Sequence, residues 1–364
     1  MRPSESAVTE RNAMIRALEL AWRGWGRVQP NPLVGAVVLA GTEPVGEGWH
    51  AEFGERHAEA MALAAARDRA RGATLICTLE PCAHQGRQPP CTDAIIRAGV
   101  RRVVAATPDP NPVAAGGAAR LRAAGVEVEL GLLAAEAEAQ NAGFLHRQRD
   151  PSRPYVALKL ATTVDGRIAD ANGHSRWLSA EPAREFVQWL RAGFDAVGVG
   201  GVTARADDPS LTVRGPLQPR VPPRRVVFAA DGDVPPTLRL VRGARETPTL
   251  AVVSPAAPVA LVAPLESAGV TVVRAGDLVE ALGALRAAGI ASLLVEGGGR
   301  LAGALLSAGL VDRYYWIQTP LWLGMASVPA VAGLSPTRLE DARRWRVTER
   351  RALGDDTLLV LDRP

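Results

Sequence analysis

Residues 74–91 read Thr74-Leu75-Ile76-Cys77-Thr78-Leu79-Glu80-Pro81-Cys82-Ala83-His84-Gln85-Gly86-Arg87-Gln88-Pro89-Pro90-Cys91, and upstream of them stands His57-Ala58-Glu59. The short apolar run from Thr74 to Thr78 has the pattern of a buried strand, and Pro81 lies just beyond its end. Helical periodicity returns from Thr92 to Ala98. His57 opens another helix that runs through alanine-rich sequence to Arg71, where Gly72 stops it. A strand, a loop and two helix starts thus bring one imidazole and two thiols within reach of one point.

Working outward, Met14, Ile15, Leu18 and Trp22 recur at helical spacing between Asn12 and Trp25. Val34 to Leu39 and Pro44 to Trp49 read as a hairpin, Val100 to Ala106 and Val126 to Leu130 as strands, and Ala114 to Ala124 as a helix. Strands and helices alternate, so residues 1–148 are expected to form one α/β domain. Asp150-Pro151-Ser152-Arg153-Pro154 breaks the pattern as an interdomain linker does. Beyond it, strands are expected at Tyr155 to Leu160, Ala196 to Val199, Val226 to Ala229, Thr249 to Val253, Val270 to Val273 and Ser292 to Val295. Helices are expected at Pro182 to Ala192, Asp277 to Ala288 and Arg300 to Ala308, which makes residues 154–364 a second α/β domain. A length of 364 residues agrees with two domains.

The composition, 47% hydrophobic and 22% charged, is that of an ordinary globular chain. A net charge of +4 and a pI near 9.4 suit an anionic partner. No dense basic run with interleaved aromatics is present, so the expected anion is a phosphorylated small molecule and not a nucleic acid. The absence of an apolar span or signal-like N-terminus leads to the expectation of a cytoplasmic protein with no membrane association, and a homo-oligomer is the expected assembly. Three cysteines cannot make a disulfide framework, and their clustering beside histidines points to metal chemistry. Lys159 is the only lysine in a chain otherwise given to arginine, and the two cations are not interchangeable.

His57, Cys82 and Cys91 form the candidate ligand set. Three protein ligands leave a fourth tetrahedral position for water, as in catalytic zinc sites, and zinc brings the pKa of that water toward neutrality so that hydroxide can attack an amine-bearing ring carbon. Glu59, two residues from a ligand, is the candidate proton carrier between water and leaving ammonia. The arrangement H-x-E…P-C-x-x-C is a signature of zinc deaminases; here the two cysteines are separated by a longer loop containing His84 and Arg87. A closed structural zinc would need a fourth ligand from His50 or His84, and Cys77 reads as inert core.

In order and spacing, Pro30-Asn31-Pro32-Leu33-Val34-Gly35, Gly48-Trp49-His50, Gly54, His57-Ala58-Glu59, Thr78 to His84 and Pro89-Pro90-Cys91 resemble the deaminase half of the bifunctional riboflavin-biosynthesis deaminase/reductase family. That half has a cytidine-deaminase-like α/β/α sandwich. The resemblance implies that Asn31, His50, His84 and Arg87 hold the pyrimidine and its ribose phosphate. Leu158 to Arg167, Ser175-Arg176-Trp177, Thr203, Ala206 to Pro209, Leu211 to Arg214 and Glu296-Gly297-Gly298-Gly299 resemble the family's reductase half, of dihydrofolate-reductase-like fold. It implies that Ala161, Trp177, Thr203 and Asp207 meet a nicotinamide cofactor, and that Ser175, Arg191, Leu211, Arg214 and Glu296 meet the sugar phosphate. Gly298, Gly299 and Gly303, following a strand and opening a helix, are candidate phosphate-facing positions for the cofactor.

The family implies a zinc-dependent deamination of 2,5-diamino-6-(5-phosphoribosylamino)pyrimidin-4-one, then reduction of its ribosyl chain to ribityl, with Lys159 and Asp207 as candidate catalytic groups in the second step. NADPH is the family's cofactor. One departure keeps NADH open beside it: Ala229-Ala230-Asp231-Gly232-Asp233 sets two carboxylates where a 2′-phosphate is expected to bind.

Overall fold

Thr74–Cys77, the run that opens the decisive stretch, is the central strand β3 of a five-stranded sheet in the first of two units. In this computed structural model, which describes residues 5–334 and 338–363, the units are Met1–Arg149 and Asp150–Pro364. The first sheet also contains β1 (Gly35–Ala40), β2 (Glu43–Trp49), β4 (Arg102–Ala105) and β5 (Glu127–Leu130), in the order β2-β1-β3-β4-β5. β1 runs antiparallel to β2 and β3, while β3, β4 and β5 are parallel.

Successive side chains leave opposite faces of each strand, and both faces are apolar. Val37, Ile76 and Val104 pack on one side against α1 (Glu5–Ala21) and α5 (Ala134–Gln140). Val38, Leu75 and Val103 pack on the other against α2 (Ala58–Ala66), α3 (Cys91–Ala98) and α4 (Gly117–Ala123). The result is the three-layer α/β/α sandwich, in which each fully buried Leu, Ile or Val contributes about 1.5–3 kcal/mol. The first helix starts earlier than its apolar spacing indicates, and α2 stops at Ala66, where Arg67 takes a φ of 51° and a 3-10 turn follows. The pair α5 and α6 (Ala142–Arg149) was not anticipated. Between them, the Asn141 side chain accepts from Leu33 N (2.8 Å) and donates to Leu33 O (2.9 Å), bracing the segment that presents Asn31.

In the second unit, β6 (Tyr155–Thr163), β8 (Ala196–Gly200), β9 (Arg224–Phe228), β10 (Thr249–Val253), β11 (Thr271–Arg274), β12 (Ser292–Glu296), β13 (Arg313–Thr319), β15 (Arg346–Leu353) and β16 (Asp356–Asp362) form one sheet. Its order is β11-β10-β9-β8-β12-β6-β13-β16-β15, parallel from β11 to β13 and antiparallel at the β16 and β15 end. Short β7 (Arg167–Ala169) and β14 (Val328–Pro329) pair separately. Continuous Val, Leu and Ala runs in the inner strands are what a parallel sheet covered on both faces demands. One face packs with α11 (Leu278–Ala287) and α12 (Gly299–Ser307), the other with α8 (Gly201–Asp207), α9 (Arg239–Arg242) and α10 (Val259–Ser267). α7 (Glu181–Ala192) places Arg184, Gln188 and Arg191 along the wall of a large cavity. No helix among the described residues is long and apolar enough to cross a membrane.

Candidate active sites

In the first unit the ligand set assembles from three element ends. His57 is the N-cap of α2, Cys91 is the first residue of α3, and Cys82 stands on the loop after β3. Glu80 fixes that loop: one carboxylate oxygen accepts from Asp109 N (3.0 Å) and the other from Ala118 N (2.8 Å). The candidate ligand atoms of His57, Cys82 and Cys91 all lie within 4.8 Å of one another, with His57 Nδ1 3.2 Å from Cys91 Sγ and 3.6 Å from Cys82 Sγ. Cys91 N donates to Cys82 Sγ at 3.4 Å. A hydrogen bond from the Cys91 thiol holds the Cys82 thiol below its usual range, while the same neighbour relation and burial push Cys91 up. One imidazole and two sulfurs at this separation are a donor set that fits a zinc ion.

Glu59 lies in the first turn of α2, only 4% exposed, and burial pushes its carboxyl up toward the neutral form. His50, whose ring is 5.5 Å from that of His57, has both nitrogens engaged, Nε2 with Asn31 Nδ2 at 3.1 Å and Nδ1 with the Arg56 carbonyl at 3.3 Å. Burial drives its pKa down to about 4, so the ring is neutral near pH 7 and joins the pocket wall as a neutral group. A cavity of about 270 Å³ connects these groups: Asn31, His50, His57, Glu59, Cys82, His84 and Arg87 all line it. His84 Nδ1 is buried there without a hydrogen-bond partner, an atom that a ligand can satisfy. Arg87 lies 4.7 Å over the Phe53 ring, and Gln88 donates to Gly54 O (2.9 Å), so the long loop between the cysteines is tied across the mouth. Cys77 is fully buried, and burial keeps its thiol protonated, as a core residue requires.

In the second unit a cavity of about 1590 Å³ is lined by Lys159, Ala161, Ser175, Trp177, Arg191, Thr203, Asp207, Leu211, Arg214, Glu296, Gly298 and Gly299. Its floor is a buried charge cluster. Arg191 Nε and Nη2 donate to the two oxygens of Glu296 (2.6 and 2.9 Å), Arg191 Nη1 donates to Thr212 O (2.9 Å), and Lys159 Nζ lies 3.9 Å from Glu296 Oε2. Burial pushes the Glu296 carboxyl up, but Arg191 and Lys159 outweigh it and hold the carboxyl below its ordinary range. Lys159 is pulled below its ordinary range by burial, against the attraction of Glu296. Ser175 Oγ donates to Asp207 Oδ1 at 3.1 Å, which ties the loop before α7 to the end of α8. Arg184 stacks 4.8 Å over the ring of Trp177, which is 73% exposed.

The glycine turn forms as its sequence suggests: β12 ends at Glu296, Gly297 and Gly298 take φ values of 69° and 86°, and α12 begins at Gly299. A Cβ on Gly298 would stand 2.7 Å from Thr203 Oγ1, so bare backbone faces the Thr203 hydroxyl. Gly303 lies four residues beyond Gly299 in α12. It does not line the cavity, and a Cβ there would meet Ala332 O at 1.8 Å, so its small size serves packing of α12. The two carboxylates of the 229–233 turn have local partners. Asp233 pairs with Arg205 (3.2 Å), Asp231 accepts from Asp233 N (3.1 Å), and the cavity wall is formed by Ala229 and Ala230 instead. Residues the sequence reading missed include Glu80, Gln88 and Gln188. For Gln188 a signal existed, since it lies four residues after Arg184 and three before Arg191, on one helical face.

Residues 154–359 match the RibD C-terminal domain, and residues 8–107 match the cytidine and deoxycytidylate deaminase zinc-binding region. The chain is 42% identical over 367 residues to the riboflavin biosynthesis protein RibD of Escherichia coli (strain K12), covering 96% of this chain and 98% of that one. It is 37% identical to the RibD protein of Aquifex aeolicus (strain VF5) over 97% of this chain and 98% of the relative. Among solved structures it is similar to Acinetobacter baumannii RibD, form 1, at a TM-score of 0.82 and 35% identity, covering 98% of this chain and 99% of that one. It is also similar to the diaminohydroxyphosphoribosylaminopyrimidine deaminase/5-amino-6-(5-phosphoribosylamino)uracil reductase of Thermotoga maritima, at a TM-score of 0.81 and 34% identity over 98% and 99% of the two chains. The donor set at the head of one cavity, the charge cluster beneath the other and these likenesses have one meaning: the chain belongs to the bifunctional deaminase/reductase family of riboflavin biosynthesis, with its zinc-binding deaminase region in the first unit and its reductase domain in the second.

Proposed function

We propose that residues 1–148 deaminate 2,5-diamino-6-(5-phosphoribosylamino)pyrimidin-4-one and that residues 154–364 then reduce the ribosyl chain of the product to ribityl, with NADPH as reductant. The observation that carries this reading is the approach of His57, Cys82 and Cys91 to within 4.8 Å beside buried Glu59. These three residues would hold zinc, which supplies Lewis acidity toward a water molecule. Glu59, kept protonatable by burial, carries the proton from that water to the departing ammonia. Asn31 and His50 orient the pyrimidine through polar groups already paired with each other, and His84 offers its unpartnered Nδ1.

In the second unit the cavity lined by Ala161, Trp177, Thr203 and Asp207 would hold NADPH, which would supply hydride for C1′ of the opened imine form of the sugar. Lys159 is the group placed to position the sugar or give it a proton, because burial makes its ammonium readier to release one. Asp207, fixed by Ser175, and Thr203 form the wall for the nicotinamide side, and the guanidinium of Arg214 belongs to the sugar phosphate side, where Arg191, its fork taken by Glu296, adds charge. Pairing of Asp233 with Arg205 offsets one of the two carboxylates that would disfavour a 2′-phosphate, which supports NADPH. The test uses the full-length protein with the diaminopyrimidinone phosphate, with and without NADPH or NADH, following ammonia release and cofactor absorbance together. Ammonia release without any cofactor oxidation would leave the reductase assignment without support, and neither signal would end both.

A further inference from the structure

The segment from Ser210 to Arg214 lies against α7 and contains a non-glycine residue in the left-handed region, Leu211, at a φ of 51°. Leu211 is buried, at 2% exposure, and a side chain there is tolerated only when its surroundings fix the backbone. Two residues of α7 supply that restraint from one helical face. Arg191, already committed to Glu296, donates to Thr212 O at 2.9 Å, and Gln188 Oε1 accepts from Arg214 N at 2.8 Å. Ser210 Oγ and Thr212 Oγ1 lie 3.2 Å apart and close the inner side of the bend. The bond from Gln188 thus falls on the backbone of the residue whose guanidinium faces the cavity, and Arg214 is close enough to Glu296 to help hold that carboxyl down.

We infer that Gln188 is a positioning residue for the reductase, which locks the backbone of Arg214 so that its guanidinium meets the phosphate of the sugar substrate. The inference rests on the reading of Arg214 as a phosphate contact. Gln188 needs no contact with the reacting carbon, so its loss weakens recognition of the phosphate and leaves the chemical step intact. A hydrogen bond of this kind is worth about 0.5–1.5 kcal/mol, so the effect expected is a rise in KM of up to about tenfold.

The test compares Gln188→Met, which keeps length and removes the acceptor, with Arg214→Gln and the double variant, all in the full chain. Steady-state reduction is measured with the deaminated intermediate and with the same compound lacking its 5′-phosphate, and NADPH affinity is read separately from tryptophan fluorescence. Expected are a raised KM for the phosphorylated compound only, a kcat within twofold of the parent, unchanged NADPH affinity, and a double variant no worse than Arg214→Gln alone, since the two residues act as one unit. Additive losses, or an equal loss on both compounds, would assign Gln188 a purely structural role and overturn the inference. A parent enzyme that discriminates by phosphate while Gln188→Met behaves like it overturns the inference alone; a parent that ignores the phosphate removes the reading of Arg214 and the inference together.

Discussion

Replacing Glu296 by glutamine tests the charge cluster under the reductase cavity. The side chains of Arg191 and Glu296 are each about one-tenth exposed, and Lys159 is the third member at 3.9 Å. Glutamine keeps the shape but strands two cations in a poorly solvated floor, and breaking a buried pair in this way costs about 3–5 kcal/mol. For a unit of this size each kcal/mol moves the melting midpoint by about 2–4 °C, so a fall of about 6–20 °C is expected at neutral pH. The pH dependence adds a sign. Glu296 is held below its ordinary value, so in the parent its contribution is present above the unfolded carboxyl pKa and fades as pH falls through the lower folded value. Parent and variant therefore converge in acid. At alkaline pH the variant regains part of its deficit, because Lys159, pulled down by burial and now without its carboxylate, sheds its charge earlier than before. The assay is calorimetry of the full chain across acid, neutral and alkaline buffers. A melting difference that is absent at neutral pH, or the same at every pH, refutes the reasoning.

Three further outcomes are expected. Cys91→Ser lowers the zinc content of the purified full chain, measured by elemental analysis, and abolishes ammonia release while NADPH oxidation with the deaminated intermediate persists. Gly303→Ala forces a methyl against Ala332 O and costs about 1–3 kcal/mol in urea unfolding, with NADPH affinity unchanged; a specific loss of cofactor binding would restore Gly303 to the cavity. Asn141→Ala unpairs the buried N–H and C=O of Leu33, costs about 1–3 kcal/mol, and raises the KM of deamination because the Asn31 segment loses its brace.

The ligand set was legible because its chemistry dictates residue types at element ends: His57 and Cys91 open helices, and Cys82 follows a buried strand. The inner parallel strands were legible as continuous apolar runs. β13, β15 and β16 were not anticipated. β13 is buried only at alternate residues, and β15, Arg-Val-Thr-Glu-Arg-Arg-Ala-Leu, is exposed along most of its length at the sheet edge, so it carries little apolar signal. Gly303 and the Asp231–Asp233 turn were ambiguous for a related reason. A glycine four residues into a helix and a carboxylate after a strand look alike whether they face a ligand or a neighbouring backbone, and only packing against Ala332 or pairing with Arg205 separates the cases.

The place of β6 between β12 and β13 bears on how the polypeptide emerges from the ribosome. β6 is the first strand of its unit, yet both flanking strands are translated near the other end of the chain. At about 5–20 residues per second, this apolar ribbon waits many seconds before either neighbour exists. Nascent chains, and fragments that stop short of Ser292, therefore leave both edges of β6 without a strand to pair. The zinc-ligand region, whose residues lie close together in sequence, has no comparable delay.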